Sequence, residues 1–378
     1  MTRSTHSTFE RFFPTPRFLQ MQAVGLDIGD RFVRAVSLKA RGSGYEVDMC
    51  VERPIPAEFL STDLATNRKF SAFLSSFKNE NELKYINAAL PEEKAYLFKT
   101  RLPLLKKSEI RLGIEARIEE FIPLKAEEVI FDYRVVHVSP KGDHLDAAVS
   151  AVPSRVADNY AELFHDAGLI PLSFEVAEQA VARAVVSCDD GRTLVIANIG
   201  SVKTGLFIVS GGVVQFSSTV ALGGEQIISS ISKVQGVPMD EAEKIKNEGF
   251  LNRTEENAAQ KVAGAFEQNE VFFSFMSVLS ALRDEIGRLM SYWKSHKKEE
   301  GAEEDNPIEG LVLCGTDASI EGLVEYFSLS LSIPVEVADV WKNVYDLEEK
   351  LPPIDFSSSL RYAAAVGLAL PKNICKNV

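Results

Sequence analysis

One stretch of this chain is written twice. Val24-Gly25-Leu26-Asp27-Ile28-Gly29-Asp30-Arg31-Phe32-Val33 reads as a buried strand, a tight turn after Ile-Gly, and a second apolar run. About 170 residues later, Leu194 to Asn198, Ile199-Gly200, the polar loop Ser201-Val202-Lys203 and the run Thr204 to Val209 repeat the pattern. Both copies pass through a glycine turn into a third strand, Tyr45 to Val51 in the first and Val213 to Val220 in the second. A hairpin recurring at this distance points to two related halves that face each other. Glycine at such a turn leaves backbone N–H groups open to a phosphate, because no Cβ blocks the approach. An Asp just before it suits a hydrated Mg²⁺, a hard cation that keeps much of its water. A single Asp-x-Gly after a strand is an ordinary β-turn in most proteins. The pair in register is the stronger signal.

The rest of the chain reads as further α/β structure. Asp63 to Phe77 is a polar helix; Lys84 to Leu90 and Ala95 to Leu102 are strands around Pro91-Glu92-Glu93. Ile110, Ile114, Ile118 and Phe121 fall on one face of a helix from Lys107 to Ile122, which Pro123 stops. Val129 to Val138 and Leu145 to Val152 follow as strands, and Ser154 caps a helix that Gly168 closes. This β-β-α-β-β-α block, over about 60–170, reads as a small subdomain inserted in the first half. Beyond the second hairpin, Gly223-Gly224 opens a helix, Asp240 to Lys246 forms another, and 254 to about 298 is helical with a solvated tail from His296. Leu311 to Cys314 is a buried strand running into Gly315, and Leu360 to Leu370 is an Ala-rich final helix. The expected organisation is an N-terminal arm over 1–20, a first lobe over 21–190, a second over 191–355, and a C-terminal helix and tail over 356–378.

Composition excludes several classes. A net charge of −13 repels nucleic-acid phosphates. No run of about 18 apolar residues offers a membrane span, and the N-terminus lacks the apolar core of a signal peptide. Three of the four cysteines (Cys50, Cys188, Cys314, Cys375) sit in or beside apolar runs and read as small core residues of a reducing compartment. The five histidines show no metal-ligand spacing. The expected location is the cytoplasm.

Several passages in order resemble the PilM family of type IV pilus assembly proteins, which is actin-like and FtsA-related. They are the hairpin at Asp27; Ala89-Leu90-Pro91; the helix to Phe121-Ile122-Pro123 with Glu127-Glu128 and Asp132-Tyr133; and Ala151-Val152-Pro153. The series continues with the hairpin at Gly200, Leu222-Gly223-Gly224-Glu225, Glu241-Ala242-Glu243 with Lys246, and Leu313 with Gly315. The resemblance covers about residue 20 to the end. It implies an actin-like (ribonuclease H-like) fold of two duplicated lobes with an inserted α/β subdomain. It also implies ATP or ADP with Mg²⁺ held between the lobes. Asp27, Gly29, Asp30 and Arg31 would face the phosphates from one side, with Asp27 toward the metal; Asn198, Gly200, Ser201 and Thr204 would face them from the other. Gly223 and Gly224 would line the nucleotide, Glu243 and Lys246 would reach ribose or adenine, and Gly315 would form the adenosine loop. Without the resemblance, Glu243 and Lys246 read as an i, i+3 surface pair.

Three positions depart from the family pattern. Asn198 replaces an Asp, which removes a carboxylate available to Mg²⁺. Asp30 replaces a small hydroxyl residue and brings a negative charge toward the phosphates. At 4 Å that repulsion is about 4 kcal/mol at an effective dielectric of 20 unless Mg²⁺ or Arg31 offsets it. Thr316-Asp317 replaces a glycine-rich loop. Each change favours weak binding or slow hydrolysis, so the expected activity is at most a slow ATPase. Glu175, Glu178 and Gln179 occupy the stretch where this superfamily places a residue that orients the attacking water.

The function implied is a scaffold at the inner face of the cytoplasmic membrane. It would bind the N-terminal peptide of a PilN-like inner-membrane protein in a groove between the first lobe and the inserted subdomain, with Lys107 to Ile122 as one wall. Other pilus assembly platform proteins would be further partners, and membrane association would run through them; nucleic acid is not expected. The alternatives are a nucleotide-free adaptor of a type II secretion-like system, an FtsA-like filament protein, and a sugar or acetate kinase. The filament needs a C-terminal amphipathic helix, where this sequence has the short polar stretch Pro371 to Val378.

Overall fold

The computed structural model describes residues 23–41, 44–60, 63–247, 265–299, 307–345 and 352–372. The arm expected over 1–20 and the first part of the helical stretch expected from 254 lie outside them. The first lobe begins with three antiparallel strands, β1 (Val24–Ile28), β2 (Phe32–Arg41) and β3 (Gly44–Pro54). Asn67 accepts from the Lys69 amide and caps helix α1 (Arg68–Glu80), which leads to β4 (Tyr85–Leu90). Next come β5 (Tyr96–Pro103), α2 (Lys107–Glu115), α3 (Ile118–Phe121), β6 (Val129–Val138) and β7 (His144–Pro153). Helix α4 (Ser154–Asp166), β8 (Ile170–Val176) and α5 (Ala177–Val185) complete this half.

The second lobe repeats the opening with β9 (Thr193–Ile199), β10 (Thr204–Ser210) and β11 (Val213–Val220). Helices α6 (Gly224–Gln235), α7 (Met239–Asn247) and α8 (Ala265–Glu299) follow, then β12 (Gly310–Cys314), α9 (Leu323–Leu331) and β13 (Val335–Val337). The chain closes with α10 (Phe356–Ser359) and α11 (Ala363–Ala369).

The duplication holds at the level of hydrogen bonding. One sheet runs β3-β2-β1-β4-β8 and the other β11-β10-β9-β12-β13. In each, the hairpin strands are antiparallel and the last two strands join in parallel. These are two copies of one actin-like arrangement.

The inserted subdomain is narrower than expected. Its three-stranded sheet, β5-β7-β6, together with α2 and α3, spans 96–153 rather than about 60–170. Strand β4 instead pairs with β1 through Leu26 and Ala88. Phe70, Leu74 and Phe77 of α1 and Leu163 and Phe164 of α4 join Leu26, Val33 and Ile86 in the first-lobe core. An apolar run says that a strand is buried; its hydrogen-bond partner decides which sheet it joins.

The helix expected from Lys107 to Ile122 breaks in two. Arg117 leaves the helical path (φ −114°, ψ −1°), and the phase slips by one residue. Ile122, 2% exposed, takes the core place expected for Phe121, which is 39% exposed and stacks on Phe98 at 4.4 Å. Ser154 makes no cap bond; it is the first residue of α4, behind Pro153. Helix α8 runs to Glu299, close to the expected end at about 298, and so takes in the first residues of the stretch from His296 that reads as a solvated tail. Its inner face, Phe275, Leu279, Leu282, Ile286, Leu289 and Trp293, steps by three or four residues and is buried in the second-lobe core. Cys50 and Cys314 are free thiols, whereas Cys188 is disulfide-bonded, against the expectation of a fully reduced set. Among the described residues no helix is long and apolar enough to cross a membrane.

Helix α11 carries the chain back to the first lobe. It packs on α5 and β1, with Leu368 buried beside Ala89 and Ala180. Asn87 donates to the Leu368 carbonyl at 3.1 Å, and Arg183 to that of Gly367 at 2.6 Å.

Candidate functional site

The two hairpin turns close in the same way. Gly29 N–H donates to the Phe32 carbonyl at 3.0 Å, and Gly200 N–H to the Lys203 carbonyl at 2.9 Å. Between them lies a cleft of about 430 Å³, within the range of small-molecule sites. Asp27, Gly29, Asp30, Arg31 and Arg34 line it from the first lobe; Asn198, Gly200, Ser201 and Lys203 line it from the second. Glu92 and Glu93, just past β4, also border it, as do Gly315, Thr316 and Arg361. Gly315 has φ +96°, and a Cβ there would lie 2.5 Å from the Ile199 carbonyl, so the loop hugs the second hairpin only as glycine.

Eight of the expected residues therefore meet in one place: Asp27, Gly29, Asp30, Arg31, Asn198, Gly200, Ser201 and Gly315. Five do not line the cleft. Thr204 is fully buried and its hydroxyl donates to the Leu222 carbonyl at 2.6 Å, so its side chain is structural. Gly223 and Gly224 pack beneath the second turn; Gly224 N–H donates to the Gly200 carbonyl at 3.1 Å and Glu225 N–H to that of Ser201 at 2.8 Å. Glu243 is exposed on α7, while Lys246, 4% exposed, turns inward to an ion pair with Asp317. In place of the expected reach to ribose or adenine, and of the i, i+3 surface pair that spacing alone suggests, Lys246 takes a partner 71 positions further on.

Local reading missed Lys203, Arg34, Arg361, Glu92 and Glu93. Lys203 carried the clearest signal, being a lone cation in the repeated turn. Its ammonium contacts Glu93 at 2.7 Å and Asp30 at 3.3 Å. Burial alone would lower its pKa, but these carboxylates overcome that and hold it charged. Arg31 clasps Glu225 through Nε at 2.5 Å and Nη2 at 2.6 Å, which raises the arginine's pKa further. Arg34 and Arg361 share Glu52, at 3.2 and 2.9 Å. Asp27 is pushed above the usual carboxylate range by burial; Arg34 works against this and Asp30 with it. Such a carboxylate, short of positive charge, fits a cation. Among the described residues no three acidic, His or Cys side chains converge on a metal position, so Mg²⁺ at Asp27 would depend on phosphate and water for its other ligands.

The candidates for orienting water do not line the cleft, although Ala177, beside Glu178, does. Glu175 is paired with Arg183, and Gln179 donates to the Ser150 hydroxyl at 2.5 Å. Glu178 is 2% exposed and its Oε2 has no hydrogen-bond partner among the described residues. Glu92 bonds Thr219 at 3.2 Å and rests against Gly205 of β10. Burial first, and then the neighbouring carboxylates, raise both Glu92 and Glu178. A carboxyl raised on folding lets the folded state keep a proton that the unfolded chain has lost. Stability is therefore full below the usual carboxylate range and falls as pH rises into the neutral range. Glu178→Gln should raise the melting temperature by about 3 °C at pH 8 and leave it unchanged at pH 4, read by calorimetry. Equal gains at both pH values would show that the acid is not the cause.

The family model described as "Type IV pilus assembly protein PilM" matches residues 25–373. Among solved structures, the "PilM-PilN type IV pilus biogenesis complex" aligns with a TM-score of 0.71 at 20% identity, over 94% of this chain and 98% of that one. The ethanolamine utilization protein EutJ from Carboxydothermus hydrogenoformans aligns at 0.48 and 14% identity, over 94% and 91% of the two chains. MreB5 of Spiroplasma citri bound to ADP aligns at 0.48 and 14%, over 94% and 97%. At 20% identity the first of these likenesses reaches the fold and no single residue's role.

Proposed function

Because the chain belongs to the PilM family of type IV pilus assembly proteins, we propose that it serves as an actin-like scaffold that binds a PilN-like N-terminal peptide and holds a nucleotide in the cleft. The family match over 349 of 378 residues, 25–373, carries the scaffold reading. For the peptide, two sheets end in open strands. Strand β8 is the last of the first-lobe sheet and exposes Ile170 and Leu172; β6 is the last of the inserted sheet and exposes Ile130. An extended peptide can hydrogen-bond to such an edge and seat alternate side chains beside it. In helix α2, Ile110 and Ile114 are spent on the core, so its contribution to a groove wall would come from Leu112.

For the nucleotide, the supporting observation is the pair of mirrored turns with Arg31, Lys203 and Arg34 around one cleft. The Gly29 and Gly200 amides are used inside their turns, so phosphates would meet these cations and the following amides. Mg²⁺ at Asp27 would neutralise phosphate charge. With Glu175, Glu178 and Gln179 engaged or buried elsewhere, the geometry favours holding a nucleotide over turning it over. Calorimetry with ATP and ADP, with and without Mg²⁺, tests this. Micromolar binding is expected. Absence of heat for the unmodified chain and for Asn198→Asp alike would sink the nucleotide part and leave a passive adaptor. The peptide is followed separately, by anisotropy of a labelled PilN-like N-terminal segment.

A further inference from the structure

Two cations of the cleft, Arg31 and Lys203, are already satisfied, and by carboxylates that reach across it. Arg31 comes from the β1–β2 turn of the first lobe, and Glu225 from the first turn of α6 in the second, 194 positions away. Two guanidinium N–H groups meet the two carboxylate oxygens at 2.5 and 2.6 Å. This is the fork-to-fork pairing that arginine also offers a phosphate. A second tie crosses in the opposite direction: Lys203 of the second lobe holds Glu93 and Asp30 of the first. The paired side chains are 26 to 44% exposed, so neither tie is a sealed structural pair. Ion pairs open to water to this degree hold weakly and exchange readily. Glu225 also has a second resting place, because its position in the first turn of α6 puts a free carboxylate at the positive end of that helix.

We propose that Glu225 is an internal stand-in for a phosphate on Arg31, so that Glu225 and the polyphosphate of a ligand exclude one another and the lobes stay latched until the ligand takes its place. The identity of the anion rests on the nucleotide reading above; the latch itself does not. Displacement of Glu225 frees the bidentate face of Arg31 for a terminal phosphate. A monophosphate compensates the cations poorly, so the ligand class is a nucleoside di- or triphosphate. A carboxylate returned to the helix end leaves the cleft mouth one crosslink short, and binding is thereby transmitted to the angle between the lobes.

The test uses inorganic tripolyphosphate as the probe, with the full-length chain, Glu225→Gln, Arg31→Gln and the double variant. Spectroscopic labels placed as unnatural amino acids at Lys69 and Lys233, both exposed and one in each lobe, report the distance between lobes without ligand. Both single variants should lengthen or broaden that distance. Glu225→Gln should bind tripolyphosphate about tenfold more tightly than the unmodified chain, and the double variant should lose the gain. Equal binding by the unmodified chain and Glu225→Gln overturns the stand-in and leaves the cleft reading in place. No binding by either overturns both. An unchanged distance in both single variants, whatever the affinities, overturns the latch. Because the paired side chains are 33 and 38% exposed, melting temperatures within a few degrees of the unmodified chain are expected and show that the variants are folded.

Discussion

Gly367→Val is expected to cost about 4 kcal/mol or more and to leave the first lobe unable to close on its last helix. A Cβ at this position falls inside the Ala180 carbonyl of α5, and backbone atoms cannot turn aside as a flexible side chain can. Gly25, on the other flank of α11, is under the same constraint from the Ala365 carbonyl. The helix is thus gripped between a strand and a second helix at near-backbone distance. Denaturant unfolding should show the lost stability, and hydrogen exchange should place the lost protection in β1, β4 and α5. A cost below about 1 kcal/mol would mean that the helices slide apart freely and that the close crossing carries little of the fold.

The second large effect is expected at Lys246. Its ammonium and the Asp317 carboxylate are 5 and 4% exposed, and among the described residues Asp317 Oδ2 has no hydrogen-bond partner. Burial already pushes the Asp317 carboxyl up, and Lys246 is what opposes this. Removing the cation strands a buried charge, a loss of about 3–5 kcal/mol for Lys246→Ala. Lys246→Met with Asp317→Asn should recover at least half of it, since removing both charges removes the penalty together with the attraction. Equal losses in the single and double variants would assign the cost to packing.

How much of this the sequence foretold depends on how local each feature is. The hairpins at Asp27 and Gly200 were legible because a turn, its glycine and its flanking apolar runs lie within sixteen residues. The matching sheet orders follow from that repeat. The limits of the inserted subdomain were not legible, since β4 looks the same in sequence whether it pairs with β1 or β5. The phase slip at Arg117 was hidden for a related reason: Phe121 and Ile122 are both apolar, and only a break in the helix chooses between them. Within the cleft, residues of the two turns were found; Arg34, opposite Asp27 in the same hairpin, was within reach of that reading, while Glu92, Glu93 and Arg361 arrive from elements that tertiary contact alone brings near. Lys246 was misread because Glu243, three positions before it, offered a nearer partner than Asp317.

The return of the final helix to the first strand also governs how the molecule comes into being. Val24 to Ile28 leave the ribosome before every other described strand, yet Ala363 to Ala369, which cover them, leave only after the strands of the second lobe. Until then Gly25, Asn87 and Ala180 face an empty slot, and the first lobe exists as a sheet with one side uncovered. The second lobe has all five of its strands, through Val337, before the first is complete. Contacts of such sequence separation slow folding and prolong exposure of apolar surface. The duplicated halves are therefore tied together in time: the final helix covers the first strand and is buried with the strands of the second lobe, so the older lobe depends on a segment that follows its twin.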